Sequence, residues 1–145
     1  MRVLALVVVA GCGSSFDPGA SVDIDGAVVE LPAITAVKQG TLLDLTATAD
    51  DGTRLTISFP AATAPGPHDC LEGVDGIFSI VLVDAAAEQF ASFYPISSPA
   101  HECSFELDVN DGDTVELSAL TAPLANSAGD AMRALADGSF AAEIQ

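Results

Sequence analysis

Two short tripeptides carry the side chains of this chain that are best suited to hold a metal ion or to form a covalent cross-link. They are His68-Asp69-Cys70 and His101-Glu102-Cys103. Residues i and i+2 of an extended strand point to the same side, so each histidine could lie beside its cysteine. Two such pairs would supply the two histidines and two cysteines of a tetrahedral zinc site. The alternative is a disulfide between Cys70 and Cys103, with the histidines as incidental neighbours.

Acidic residues cluster where the chain is expected to turn, and carboxylate oxygens are ligands that Ca²⁺ prefers. The longest cluster begins at Asp108 and resembles a calcium-binding EF-hand loop only in part. Counted from Asp108, its glycine falls at the fifth position rather than the sixth, and the twelfth position is Ala119 rather than glutamate. Turn geometry alone also selects Asp, Asn and Gly. We therefore expect turns rather than calcium sites at Asp23/Asp25, Asp50/Asp51 and Asp108/Asn110/Asp111/Asp113.

The sequence contains none of the short motifs that mark common catalytic sites. Gly-x-Ser-x-Gly, a phosphate-binding Walker loop and His-Glu-x-x-His are all missing. No motif places a serine beside either of the two histidines. We therefore predict that the protein is not an enzyme and that it needs no cofactor. The alternative is an enzyme or a metal-binding protein that uses the His/Cys pairs or the acidic turns.

The charge of the chain restricts its partners. Acidic residues outnumber basic ones 21 to 4, which gives the 145 residues a formal net charge of −17. Such a surface repels nucleic-acid phosphates, so nucleic-acid binding is not expected. Apolar residues make up 50% of the chain, which argues against disorder despite the charge. The length suits one domain with a substantial core.

The amino terminus has the pattern of a bacterial export signal. Arg2 precedes eight apolar residues that begin at Val3, and Val9-Ala10-Gly11-Cys12 ends the segment. This ending resembles the lipobox of bacterial lipoproteins, in which the cysteine becomes the lipid-bearing first residue of the mature protein. The apolar run is too short to span a bilayer, which takes about twenty residues. A Val-rich run also suits a buried strand, but here it leads into a flexible linker.

The lipobox interpretation divides the chain into a signal peptide at 1–11, a lipid-anchored tether at 12–20 and a single β-domain at 21–145. Lipid on Cys12 would then be the only membrane contact, because anionic head groups repel the acidic domain. We expect a location in the bacterial cell envelope. Gly13 rather than aspartate follows Cys12, which favours the outer membrane. In that oxidising compartment a disulfide between Cys70 and Cys103 is the default.

Alternating apolar and polar residues, separated by turn residues, predict strands and hairpins. The clearest hairpin joins Thr41–Ala49 to Thr53–Phe59 through Asp50-Asp51-Gly52, and a second joins Cys103–Val109 to Thr114–Leu120. Further strands are predicted at Ser21–Asp25, Ala27–Leu31, Ala33–Lys38, Gly76–Val83, Gln89–Tyr94 and Ser139–Ile144.

Three connecting segments complete the prediction. Pro60–Pro67 and Pro123–Asp130 are predicted loops, and Ala85–Glu88 is a predicted connection. Ala131–Ala136 suits a helix capped by Asp130, although a strand that continues through Gly138 is preferred. Strand-like runs every eight to twelve residues are typical of an antiparallel β-sandwich or barrel. Its predicted core includes Leu45, Ile57, Phe59, Phe105 and Leu107.

A series of strand and turn features follows in order along the chain. They are Val22-Asp23-Ile24-Asp25-Gly26, Gly40-Thr41-Leu42, Thr46–Thr53, Leu55–Pro60, Ala64-Pro65-Gly66, Cys103 at the start of a strand, and Gly138–Ala142. This series resembles a family of small bacterial lipoproteins of unknown function and covers nearly all of the chain beyond Cys12. Each motif is general β-hairpin chemistry, and His68 stands where such proteins often carry an aromatic residue. The resemblance implies an extracytoplasmic β-domain and supplies no catalytic residues.

These observations predict an envelope lipoprotein whose β-domain is a binding or structural module. They do not name its ligand.

Overall fold

The protein is an all-β chain in the computed structural model, which describes residues 16–69, 79–92 and 103–145. Eleven strands lie in these residues, and every pairing between named strands is antiparallel. They are β1 (Gly19–Ile24), β2 (Ala27–Leu31), β3 (Ala33–Gln39), β4 (Leu42–Thr48), β5 (Arg54–Pro60), β6 (Gly66–Asp69), β7 (Ser79–Val83), β8 (Gln89–Ala91), β9 (Ser104–Asn110), β10 (Thr114–Asn126) and β11 (Met132–Glu143). The predicted fold class is confirmed. None of the described residues forms a helix that could cross a membrane.

The strands form one sheet that curls until it is nearly closed, like a barrel. Its order is β2-β1-β11-β10-β8-β7-β5-β4-β3, and the β6–β9 pair attaches to β10. The carboxyl terminus links β3 back to β11. Ala36 bridges Ile144 in parallel, and the Gln145 amide donates to the Ala36 carbonyl at 2.8 Å. This contact nearly closes the sheet, and β2, at one end of the strand order, pairs with β1 alone among the described residues.

Turn residues set the registers of the β1–β2 and β4–β5 hairpins. Between β1 and β2, Asp25 and Gly26 both have positive φ, 53° and 88°, and Ile24 pairs with Ala27. Two positive φ angles in a two-residue loop define a type I′ turn, whose twist matches that of paired strands. Between β4 and β5, the Ala49 amide donates to the Thr53 carbonyl at 2.8 Å. The β4–β5 hairpin lies where alternation and Asp50-Asp51-Gly52 predicted it, and the β1–β2 hairpin joins two predicted strands.

Alternating side chains of the strands fill the interior of the barrel. Along β4 and β5 every second residue is buried, as period-two alternation requires. The predicted core residues Leu45, Ile57, Phe59, Phe105 and Leu107 are each at most 3% exposed. The Phe59 and Phe105 rings lie 6.0 Å apart between centroids, so β5 and β9 contribute to the same core. Complete burial of a large aliphatic or aromatic side chain stabilises the fold by about 1.5–3 kcal/mol.

The predicted loop at Pro123–Asp130 is wrong over its first part, because β10 continues through Pro123 to Asn126. Proline cannot donate a hydrogen bond to a neighbouring strand. Pro123 pairs with Ala134 on β11. On the other side of β10, the described pairing with β9 ends at Thr121 and that with β8 begins at Ala125. Pro123 therefore falls between two neighbours, where no cross-strand donor is required.

The predicted loop at Pro60–Pro67 is also too long. Pro60 is the last residue of β5, and Gly66 and Pro67 begin β6. Pro60 pairs with Leu42 on β4, whereas the described pairing of β5 with β7 ends at Ser58. Proline is tolerated at such a strand end because one side requires no donor.

The remaining segment predictions agree with the structure in part. The predicted Gln89–Tyr94 strand is shorter than expected, because β8 ends at Ala91 and Ser92 lies in a turn. The preference for strand at Ala131–Ala136 is confirmed, since β11 runs from Met132 through Gly138 to Glu143. Ala85–Glu88 is a connection, and only the Ser79–Val83 part of the predicted Gly76–Val83 strand lies among the described residues. β1 begins at Gly19, two residues before the predicted start of the domain.

The β10–β11 pair bends at a shared irregularity. Its register shifts on both sides of the Leu120↔Gly138 pair. Ala119 and Asp137, the residues just before these two, have positive φ of 52° and 50°. A Cβ atom added at Gly138 would lie 2.8 Å from the Leu120 Cβ. Glycine is therefore required at this bend by close approach of the opposite strand.

Candidate functional sites

The structure places part of the two His/Cys tripeptides on the β6–β9 pair. β6 carries His68 and Asp69, and Cys103 directly precedes β9. Their partners Cys70 and His101 lie outside the described residues, as does the predicted lipidation site Cys12. The zinc site and the lipidation of Cys12 therefore remain predictions from the sequence.

Cys103, one half of the predicted disulfide, lies at the end of the described β6–β9 ladder. This ladder runs from Gly66↔Leu107 to Asp69↔Ser104. Cys103 is 1% exposed. The link between Cys70 and Cys103 remains a prediction, because Cys70 is not described.

His68 packs as a half-buried side chain against the core. Its ring lies 5.5 Å from that of Phe105, its cross-strand partner. Its Nε2 lies 2.7 Å from the Ala64 carbonyl oxygen. A carbonyl only accepts hydrogen bonds, so in this geometry Nε2 carries the hydrogen and donates it.

An open groove of about 440 Å³ runs over the β6–β9 pair. It is lined by three consecutive residues of each strand and by the bend of β10, namely Pro67, His68, Asp69, Ser104, Phe105, Glu106 and Ala119. Two carboxylates and a hydroxyl could contact a small polar or cationic group. The groove is too open to exclude water from such a group.

The acidic turns use their carboxylates to hold the backbone. The Asp111 Oδ1 accepts hydrogen bonds from the amides of Asp113 and Thr114 at 2.9 and 2.8 Å. The Asp51 Oδ1 accepts from the Thr53 amide at 2.8 Å, and the Asp23 Oδ1 accepts from Gly26 at 2.7 Å. These are the side-chain-to-backbone bonds that select aspartate in turns.

The same hydrogen bonds favour the charged form of two carboxyls. The backbone amide of Thr53 lowers the pKa of Asp51 below its usual value. The amides of Thr114 and Asp113 lower the pKa of Asp111 in the same way. Hydrogen bonds to an ionised carboxylate oppose its protonation. Both carboxylates are thus engaged in turn structure.

Asn110, a further member of the long acidic cluster, also bonds to the backbone. Asn110 donates through Nδ2 to the carbonyl oxygens of Ala61 and Thr63 at 3.0 and 2.9 Å. It therefore fastens the β5–β6 loop to the β9–β10 hairpin. Across the residues that the structure describes, no three His, Cys, Asp or Glu side chains form a group that could hold a metal ion.

Sequence reasoning missed a polar network at one end of the barrel. Its centre is Arg133, whose guanidinium carbon lies 4.4 Å from the centroid of the buried Phe90 ring. Arg133 also makes ion pairs of 3.6 Å with both Asp25 and Asp84. These residues are far apart in sequence, so no local spacing could have indicated the contact.

A buried asparagine extends this network. Asn126 is 8% exposed, and its Nδ2 donates to Glu88 and Asp130 at 2.9 and 2.7 Å. Its Oδ1 accepts from the amides of Asp130 and Ala131, each at 3.2 Å. Half-exposed ion pairs stabilise a fold only slightly, whereas satisfying a buried amide avoids a cost of about 1–3 kcal/mol. The network therefore links the β1–β2, β7–β8 and β10–β11 connections.

Comparison with known proteins adds no identification. No protein-family model, curated protein or solved structure matches the chain. The resemblance to small bacterial lipoproteins therefore rests on the sequence features alone.

Proposed function

We propose that this protein is a bacterial envelope lipoprotein, anchored by lipid on Cys12, whose β-domain is a binding or structural module. The observation that carries the proposal is Val9-Ala10-Gly11-Cys12 at the end of a short apolar run behind Arg2. A charged residue, an apolar segment and small residues before the cysteine are what export and lipid attachment require.

The position of the first strand is consistent with a short tether. β1 begins at Gly19, and a chain extends by at most about 3.3–3.6 Å per residue. The segment from Cys12 to Gly19 would then keep the domain within about 25 Å of the lipid. The charge of −17 repels anionic head groups, so lipid rather than the protein surface would hold the domain at the membrane.

We favour a binding or structural role over catalysis and over metal binding. Two lines of support are the turn carboxylates that hold backbone amides and the His68 Nε2 that contacts a carbonyl. In these contacts the turn aspartates and His68 stabilise the local backbone.

The test is lipid attachment in a bacterial host. Wild-type protein should enter the membrane fraction and incorporate a palmitate analogue. Cys12→Ser should abolish both, and globomycin, which blocks the lipoprotein signal peptidase, should cause the unprocessed form to accumulate.

Cys103→Ser is the matched control, because it removes a different cysteine and leaves the lipobox intact. It should retain the palmitate label. Labelling that persists in Cys12→Ser, or wild-type protein without label in the soluble fraction, would overturn the proposal.

A further inference from the structure

The outer edge of β2 carries no paired strand within the part of the chain that the structure describes. β2 pairs with β1 alone among the described residues and stands at one end of the strand order. Edge strands in monomeric proteins are commonly blocked by lysine, proline or a bulge. β2 has the sequence Ala-Val-Val-Glu-Leu, with none of these.

The hairpin register identifies the residues that face outward along this edge. Ile24 and Ala27 flank a two-residue type I′ turn, so they form a hydrogen-bonded pair. Hydrogen-bonded and non-hydrogen-bonded pairs alternate along an antiparallel ladder. The amide and carbonyl groups of Val28 and Glu30 therefore point away from β1. Together they offer two donors and two acceptors with the spacing that an added strand requires.

The side chains of this region indicate the chemistry of a partner. Val28 is 70% exposed and is the most exposed large hydrophobic residue described. Its cross-strand partner on β1 is Asp23, and the exposed Glu30 lies two residues farther along β2. Glu30 also lines a depression of about 270 Å³ together with Asp17. Arg133, the nearby cation, is already paired with Asp25 and Asp84.

We propose that the β2 edge binds an extended, cationic segment of a partner protein by strand addition. Main-chain hydrogen bonds to Val28 and Glu30 hold the added strand, as in other cases of strand addition. Its basic side chains meet Asp17, Asp23 and Glu30, and an apolar residue covers Val28. A second copy of this chain fits less well, because each copy carries a formal charge of −17. The proposal rests on the β-domain being a binding module.

The experiment uses the full chain with Cys12→Ser, so that its result does not depend on lipid attachment. The probe is a fluorescent peptide, acetyl-Lys-Val-Lys-Val-Lys-amide. Its control is acetyl-Lys-Pro-Lys-Pro-Lys-amide, which has the same charge but lacks two amide donors and cannot add as a regular strand. The valine peptide should bind at least tenfold more tightly, and added salt should weaken it.

Val28→Pro tests the backbone contact directly. It removes one outward amide and no bond to β1, so proline is tolerated at this edge position. We expect the variant to bind the valine peptide about three- to tenfold more weakly than wild type, because one backbone hydrogen bond is lost. Val28→Thr is the control, because it keeps the amide and should bind within about twofold of wild type. Glu30→Gln should reduce the salt dependence.

Amide exchange measured by NMR gives an independent readout. Binding of the valine peptide should slow exchange at Val28 and Glu30. Equal binding of the two peptides would show attraction by charge alone and overturn the proposal. Protection of both amides in the free monomer would show that the edge is already covered, with the same consequence. Self-association that Val28→Pro abolishes would assign the edge to a second copy and would also overturn it.

Discussion

The β4–β5 hairpin and the β10–β11 pair differ in regularity, although both place alternating side chains in the same core. Pairing from Leu42↔Pro60 to Thr48↔Arg54 proceeds without a shift. Pairing of β10 with β11 shifts register twice. The regular hairpin has the same strand neighbours along its length, whereas β10 pairs first with β9 and then with β8. Local alternation describes a strand well when its neighbours stay the same.

The largest effect should come from the core of the regular hairpin. Phe59→Ala should lower the free energy of unfolding by about 3–5 kcal/mol and Leu45→Ala by about 2–5 kcal/mol, since each leaves a cavity. Both residues are at most 1% exposed. Urea denaturation monitored by circular dichroism gives the values.

Val28→Ala is the matched control for these variants, because it removes apolar atoms from a side chain that is 70% exposed. It should change stability by no more than about 0.5 kcal/mol. Core variants that cost less than about 1 kcal/mol would contradict the packing described for β4 and β5.

The predicted disulfide between Cys70 and Cys103 would add a covalent cross-link beside β9, since Cys103 directly precedes that strand. Cys70→Ser should cost about 3–4 kcal/mol in the chain-entropy model, an upper value because strain is ignored. The deciding measurement is the intact mass of envelope-purified protein, alkylated without reductant. No alkyl group should be added at Cys70 or Cys103. Two alkylated thiols, or a zinc ion retained in native mass spectrometry, would disprove the link.

The bend between β10 and β11 should be sensitive to one added methyl group. Gly138→Ala places Cβ 2.8 Å from the Leu120 Cβ, and such overpacking costs about 1–3 kcal/mol. Gly19→Ala is the matched strand control, since nothing lies within 4 Å of its added Cβ. Equal melting temperatures for the two variants would show that the bend tolerates a side chain.

The smallest effect concerns a turn carboxylate and depends on pH. Hydrogen bonds lower the pKa of Asp111 in the folded protein. A lowered folded-state pKa stabilises the fold above the unfolded value of about 3.9. That contribution is lost as pH falls through the folded-state pKa. Asp111→Asn should therefore be less stable than wild type at neutral pH, and the difference should shrink on acidification. Urea midpoints at pH 7 and pH 2 test this, and a constant difference would contradict it.

The candidate sites also differ in how far the sequence predicted them. Alternation and Asp-Gly turns predicted the hairpins, and turn chemistry predicted turns at the acidic clusters that contain Asp51 and Asp111. The Arg133 network was not predictable, because Asp25, Asp84 and Phe90 meet it from distant parts of the chain. The opposition of His68 to Phe105 also depends on pairing between β6 and β9, which are not consecutive.

The sequence by itself determined the all-β class, the hairpin turns and the buried face of each regular strand. These follow from period-two alternation and from glycine and aspartate at turns, which act within a few residues. Tertiary structure decided where β10 changes neighbours, why Pro123 can lie within a strand, and why Gly138 must be small. It also decided that β3 meets the end of β11, where Ala36 bridges Ile144, whereas β2 pairs with β1 alone among the described residues. Such contacts depend on pairing and packing between strands that are far apart in sequence. Local residue patterns do not determine which of these strands become neighbours.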